Sequence, residues 1–308
     1  MNPQLTVLMA VRNGGSFLPA AVESILHQTY LDFRFLVVDD ASTDQTRERL
    51  RDYASKDPRL ELLCLEQNVG QTAALNIGLK RAQSPWIARM DADDYSHPSR
   101  LMEQMRALER NPGVGCIGTA IWEFRQDPNV VERITARPAD PEAIGRAVLH
   151  GSGMIHGSIV VSREALLGCG AYDERYRYAS DRDMFFRLLR KTRGMNLQEP
   201  LLGVRRHAAQ DSFSRVAADE YVDLFERQLA GDGYSPQERR ILRRSLATSH
   251  LFRARCSRKH GDYSGWMADQ TRALKISPRT WTRNALAALA GPALSARLQA
   301  MKKKEFWK

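Results

Sequence analysis

The 308-residue chain contains no stretch approaching the roughly 18 to 20 uninterrupted apolar residues of a membrane-spanning helix, and Met1-Asn2-Pro3-Gln4 runs straight into a strand-like segment. Neither a signal peptide nor a transmembrane helix is therefore expected. Cysteine is scarce: Cys64, Cys116, Cys169 and Cys256 lie about fifty or more residues apart, a spacing that offers neither a disulfide framework nor a zinc motif. Reduced thiols and a cytosolic setting are the simplest reading. No Gly-x-Gly-x-x-Gly follows the first apolar run, which removes a dinucleotide-dependent dehydrogenase. The glycine turn after that run, RNGGS at 12–16, holds Arg12 as its one basic residue, too little for a triphosphate, so a nucleotidyltransferase is the weaker alternative.

Acidic residues are few at one end. Residues 236–308 carry 17 lysines and arginines against 4 acids, a net of +13, which leaves −3 for residues 1–235. The overall charge of +10 thus belongs to the C-terminal quarter, which attracts polyanions such as anionic lipid headgroups. The tail 279–308 mixes Trp281, Phe306 and Trp307 with Lys302, Lys303 and Lys304 and reads either as a peripheral membrane contact or as a solvated end. Nucleic acid is not expected as a partner, because it would leave the acidic residues described next without a role.

What is present is an alternation. Apolar runs at 5–11 (LTVLMAV), 33–38 (FRFLVV), 60–65 and 86–90 (WIARM) read as buried parallel strands, and helical stretches at 17–28, 45–55 and 71–82 separate them. The pattern predicts an α/β protein with a doubly wound, mostly parallel sheet. In such sheets ligands bind beyond the carboxyl ends of the strands. The second strand ends in Asp39-Asp40 and the fourth in Asp91-Ala92-Asp93-Asp94, so these acids are expected on one rim. Acids crowded there repel unless a cation or a ligand offsets them. An Asp-x-Asp pair at a strand end suits Mg or Mn carrying diphosphate oxygens and water.

After residue 112 the pattern is mixed: strand-like 114–124, a His/Gly-rich loop at 150–158, strands at 158–162 and 201–206, and a helix from about 181 to 191. The loop HGSGMIHG at 150–157 spaces its histidines six apart, a poor metal spacing, and is expected to form a flexible acceptor-side wall. Tyr172 and Asp173 fit a cleft or ordinary packing equally well. From 214 the chain turns helical, and 246–278 alternates small and large residues in the manner of a single tetratricopeptide-like hairpin.

Three ordered blocks, VLMAVRNGGSFLPAAVESILHQTYLDFRFLVVDDASTDQT (7–46), NVGQTAALNIGLKRAQSPWIARMDADD (68–94) and AYDERYRYASDRDMFFRLLRK (171–191), resemble a family 2 glycosyltransferase of the GT-A fold, non-processive and inverting. The resemblance implies a glycosyltransferase domain at 1–213, with a nucleotide-sugar-binding half (1–111) and an acceptor half (112–213), followed by a basic helical region at 214–308. It implies that Ala10, Arg12, Asn13, Asp40, Asn68 and Asp91 bind the nucleotide of a UDP- or dTDP-sugar. It further implies that Asp93 and His207 hold the divalent cation, Mn or Mg, and that Asp181 is the catalytic base. The acceptor would be a glycan or lipid-linked glycan.

The chain departs from the family in three places. Arg12 stands where an aromatic is common, and Ser180-Asp181 replaces an acidic pair, which leaves Asp183 as a second candidate for the functional acid. The Gln-x-x-Arg-Trp signature of processive members is missing. On its own Asp181 reads as a helix-start acid favoured by the helix dipole, by about 0.3–1 kcal/mol. An inactive, nucleotide-sugar-binding relative is the other reading of the same residues.

Overall fold

The computed structural model describes residues 3–207 and 214–289. Contacts divide the chain into two compact units, Met1–Val148 with Ser152–Gln210, and Leu149–Gly151 with Asp211–Lys308.

The first unit is built on one sheet. Strand β1 (Leu5–Val11) is buried at all seven positions, as a strand covered on both faces must be. It pairs in parallel with β2 (Phe33–Asp39) on one side and β4 (Trp86–Arg89) on the other, and β3 (Leu60–Cys64) extends the set beyond β2. Helices α1 (Leu18–Leu26), α2 (Thr46–Lys56) and α3 (Gln71–Arg81) make the crossovers. The core packs Leu5, Val7, Met9, Phe35 and Val37 against Leu18, Val22 and Ile25 of α1.

Apolar periodicity did not signal the two-residue β5 (Tyr95–Ser96), α4 (Arg100–Arg110), β7 (Arg133–Thr135), α5 (Pro141–Val148) or α6 (Arg163–Gly168). The remaining strands are β6 (Val114–Phe124), β8 (Val160–Ser162) and β9 (Arg193–Arg205), with α7 (Ser180–Leu188) before β9. The order across the sheet is β3-β2-β1-β4-β8-β6-β9-β5, with β7 beside β6. Parallel pairing runs as far as β4. There β8 joins antiparallel, and the second half is mixed, with β6 and β9 parallel to each other.

The loop at 150–158 is not a flexible wall. Gly153, Met154, Gly157 and Ser158 are buried, and His156–Ser158 forms a short 3-10 helix leading into β8. His150 belongs to the second unit, where burial and the charge of Arg244 push its pKa down to about 4. The two histidines therefore serve different parts of the molecule.

The second unit is helical: α8 (Arg215–Ala230), α9 (Pro236–Lys259), α10 (Tyr263–Ile276) and α11 (Pro278–Leu289). Ser235 and Glu238 close a reciprocal capping box at the start of α9. Buried Asp269 accepts from His250 at 3.0 Å and from Arg253 at 2.7 and 2.9 Å, tying α9 to α10. Trp281 packs on the Ala247, Leu251 and Ala273 cluster and donates its indole N–H to Gln270, so it is a packing residue and not an exposed anchor. Lys302, Lys303, Lys304, Phe306 and Trp307 lie outside the described residues. Among the described residues no helix is long and apolar enough to cross a membrane.

Gly203 of β9 lies against the rings of Trp122 and Phe124; a Cβ there would stand 2.7 Å from two indole carbons. Trp122 is held in place by its N–H bond to the Pro128 carbonyl. Gly203→Ala should therefore destabilise the sheet unit by about 1–3 kcal/mol, the usual effect of overpacking a core, as read from denaturant midpoints.

Candidate active site

Each strand end brings its acid to the same rim. Asp39 is fully buried and shapes the turn after β2: it accepts from the Ser42 N–H and pairs with Arg47 at 2.7 Å. Asp40 is buried beside it and accepts the N–H of Val69 at 2.7 Å and of Gly70 at 2.9 Å, one on each oxygen. Gly70 takes φ +86 as the N-cap of α3, a conformation that glycine adopts without strain. One residue on, Gln71 donates to Asp91 at 3.3 Å. The segment 68–71 thus links the acid after β2 to the acid after β4, although β1 lies between those strands.

On the other wall of this rim Asn13, at φ +53, accepts from the Thr43 N–H at 2.9 Å, and its own N–H reaches Ser42. Arg12 and Asn68 are exposed, whereas Ala10 is buried at the end of β1. Of the residues the resemblance assigns to the nucleotide, Arg12, Asn13, Asp40, Asn68 and Asp91 line the strand-end rim, with Ala10 beneath them.

The three aspartates after β4 have three surroundings. Asp91 is held from below by buried Arg89, whose guanidinium donates to it at 2.5 Å and also to the Met90 carbonyl. Asp94 is buried and accepts the Arg205 N–H at 3.0 Å; burial first, then the charges of Asp91 and Asp93, push its pKa well up. Asp93 is the most open of the three, and its Oδ2 lies 2.9 Å from Nε2 of His207. Gly157 lets these acids sit where they do: a Cβ there would stand 3.0 Å from an Asp91 oxygen.

Arg100 lies fully buried beneath the acids. It donates to the carbonyls of Gly157 (3.0 Å) and Arg89 (3.4 Å), and burial lowers its pKa to about 10 against the pull of Asp94 and Asp91.

Whether this rim can hold a divalent cation is a question of donors. Asp93 and His207 present one carboxylate and one imidazole within hydrogen-bonding reach of each other. Among the described residues His207 Nδ1 has no hydrogen-bond partner. Among the described residues no group of three or more His, Cys, Asp or Glu converges into a metal cage. The pair fits a cation that draws its remaining ligands from diphosphate oxygens and water, the usual habit of Mg in phosphate sites.

Opposite the acids stands α7. Asp183 is buried; Arg187 binds its Oδ2 through two nitrogens, at 2.6 and 2.8 Å, and also donates to the carbonyls of Cys169 and Ala171. Burial raises the pKa of Asp183, with Arg187 opposing it. Asp181, two residues earlier in the first turn, is only partly buried, and its carboxylate accepts from the Arg182 N–H.

Between Asp181 and Asp91 sits His156, Nε2 on the Tyr172 hydroxyl at 2.8 Å. Burial and Arg89 push its pKa down to about 4, while both Asp181 and Asp91 pull against that shift. Tyr172 is thereby placed in the cleft wall. The segment carrying it is fastened to α3, where Asn76 donates to the Tyr172 carbonyl and Thr72 to the Tyr176 carbonyl.

Arg89, Arg100, Gly157 and His156 were not singled out from sequence as site residues. Arg89 carried a signal as a charged residue inside an apolar strand, and His156 and Gly157 lay in the loop expected on the acceptor side.

The family model described as Glycosyl transferase family 2 matches residues 6–167, more than half of the chain. The chain belongs to that family. A relative named putative glycosyltransferase EpsE, from Bacillus subtilis (strain 168), is 32% identical over 225 residues, covering 72% of this chain and 79% of its own. The O-antigen biosynthesis glycosyltransferase WbnJ of Escherichia coli is 26% identical over 233 residues, covering 73% of this chain and 88% of its own.

Among solved structures, S. aureus TarS 1-349 in complex with UDP-GlcNAc superposes with a TM-score of 0.69 at 16% identity, covering 99% of this chain and 89% of its own. A mannosyltransferase from Pyrobaculum calidifontis in complex with GDP-Man and Mn2+ gives 0.62 at 20%, covering 99% and 80%. These two establish the GT-A fold for the family 2 chain.

A histidine with a depressed pKa takes up its proton only near pH 4 when folded but near 6.5 when unfolded, so its contribution is complete above about 6.5 and is lost as pH falls through that interval. Wild-type stability should drop by about 2 kcal/mol more than that of His156→Gln between pH 6.5 and 4. Denaturant titrations at several pH values provide the check.

Proposed function

We propose that the protein transfers a glycosyl group from a nucleoside-diphosphate sugar, UDP- or dTDP-linked, to a hydroxyl of a glycan or lipid-linked glycan with inversion. The observation that carries this reading is the placement of the acids: Asp91 and Asp93 follow β4, with Asp93 on His207, and Asp181 opens α7, with Asp91 and Asp181 both near His156.

In this reading the exposed loop at Arg12 and Asn13, together with Asp40, Asn68 and Asp91, holds base and ribose, Ala10 forming the floor. Asp40 has each oxygen on a backbone N–H and can accept one further donor from the base. Asp93 and His207 hold a divalent cation, Mn or Mg. Such an ion, when bound, offsets the negative charge that gathers on the departing diphosphate.

Asp181 accepts the proton of the acceptor hydroxyl as that oxygen attacks the anomeric carbon from the face opposite the diphosphate, so a single displacement inverts the centre. Asp183, engaged by Arg187, is the positioning partner that fixes the start of α7, which is why Asp181 and not Asp183 takes the base role. Structural neighbours in complex with nucleotide sugars, one with UDP-GlcNAc and one with GDP-Man and Mn2+, support a nucleotide-sugar donor and a cation. The basic C-terminal region suits peripheral contact with an anionic membrane bearing a lipid-linked acceptor.

Calorimetric titration with UDP, dTDP and GDP, each with and without Mn, tests the donor site. One nucleotide should bind in a metal-dependent manner, and Asp93→Ala should abolish that dependence; no binding under any condition would refute the assignment. For the base, Asp181→Asn should lower kcat by about 10²–10⁴ with nucleotide affinity unchanged. Asp183→Asn should instead lose about 1–3 kcal/mol of stability, because Arg187 is left without its carboxylate partner.

A further inference from the structure

Arg137 follows β7 in a loop held by polar bonds. Gln198 donates to its carbonyl at 3.1 Å, and Asn196 to the next carbonyl, that of Pro138, at 2.7 Å. Its side chain turns inward, and its Nε is buried without a hydrogen-bond partner among the described residues. The neighbouring charges are cationic: burial lowers the pKa of this guanidinium, and Arg182 and Arg133 lower it further, with no carboxylate opposing them. Arg133 faces Glu123 across the β6–β7 ladder and is partly balanced there; Arg137 is not. Arg182 adjoins Asp181 in the first turn of α7.

Holding a partly desolvated guanidinium against two others opposes folding. A site that keeps this arrangement is prepared for an anion, and the planar forks of several arginines match a phosphate or carboxylate in bidentate fashion.

We infer that Arg133, Arg137 and Arg182 form a subsite for an anionic group, phosphate or carboxylate, carried by the acceptor next to the hydroxyl that Asp181 deprotonates. The assignment of this anion to the acceptor rests on the transferase reading; the anion site itself does not. The donor's diphosphate is assigned, through the cation, to Asp93 and His207, which lie in other segments, after β4 and after β9. The cluster therefore selects acceptors, and neutral glycans are disfavoured.

The test uses methyl phosphate, methyl glucuronide and neutral methyl glucoside as probes, titrated by NMR into the full-length protein alone and with UDP and Mn present. One or both anions should bind and methyl glucoside should not, and the binding should persist with nucleotide. Whichever anion binds names the group. Arg137→Gln should weaken that binding by about tenfold, the scale of a lost charge-assisted hydrogen bond. Its Tm should match or exceed the wild-type value, because a repulsion is removed; a merely structural arginine would lower it.

Anion affinity no greater than that for methyl glucoside, or unchanged in Arg137→Gln, overturns the proposal. Should Arg137→Gln fail to fold, the exposed Arg133→Gln replaces it, and unaltered anion binding there overturns the proposal equally. Absent nucleotide binding with intact, Arg137-dependent anion binding would sink the transferase reading and leave the anion site standing.

Discussion

Three carboxylates within four consecutive residues cannot be gathered at the end of one strand unless something beneath them carries positive charge. Arg89 and Arg100 do so from inside the protein, and the Arg205 guanidinium from β9, the strand paired with β5. The arrangement explains features that otherwise look misplaced: an arginine inside an apolar strand, a second at the start of α4 with its guanidinium on backbone carbonyls, and a glycine at 157 where any side chain would press on Asp91. Buried ion sets of this kind are strongly destabilised by losing one member. Asp93 differs in its partner, the imidazole of His207, whereas Asp91 and Asp94 are held by arginine and backbone donors.

The second constraint is the fastening of α3 to the 172–176 segment. Asn76 both donates to the Tyr172 carbonyl and accepts its N–H, and Thr72 holds the Tyr176 carbonyl. Because α3 starts at the loop that Asp40 grips, the register of the strand-end rim is passed to the peptide leading into α7. A displacement of the 68–71 loop would thus reach the first turn that carries Asp181.

Much of this was legible in the chain. The apolar runs at 5–11, 33–38, 60–65 and 86–90 became β1 to β4, with β1 and β2 buried almost throughout and β3 half-buried at the sheet edge, and the acids at two of their ends fall on one rim as sheet topology requires. The pairing of Asp93 with His207 joins residues 114 positions apart; no local spacing encodes it, and family resemblance alone pointed there. Short elements escaped for a physical reason: β5 has two residues and no period, and α4 buries the polar side chains of Arg100 and Gln104, which an apolar-stripe criterion scores as solvent-facing. The arginines at 133, 137 and 182 are ordinary surface charges in sequence, and only the tertiary fold brings 133 and 182 within electrostatic reach of 137.

The antiparallel seam between β4 and β8 has a mechanical meaning. Because β8 runs against β4, its beginning, and with it the His156–Ser158 turn, meets the terminus of β4, so chain entering the sheet and chain leaving it share one edge of the cleft. The strands bearing the rim acids and those bearing the opposite wall are thus rungs of a single hydrogen-bonded ladder, with no hinge between them in the sheet. Opening the cleft to a bulkier partner by rotating one half against the other would break that ladder. Accommodation must come from the connections above it, which makes loop exchange, and not rigid-body closure, the natural route by which this scaffold is retuned.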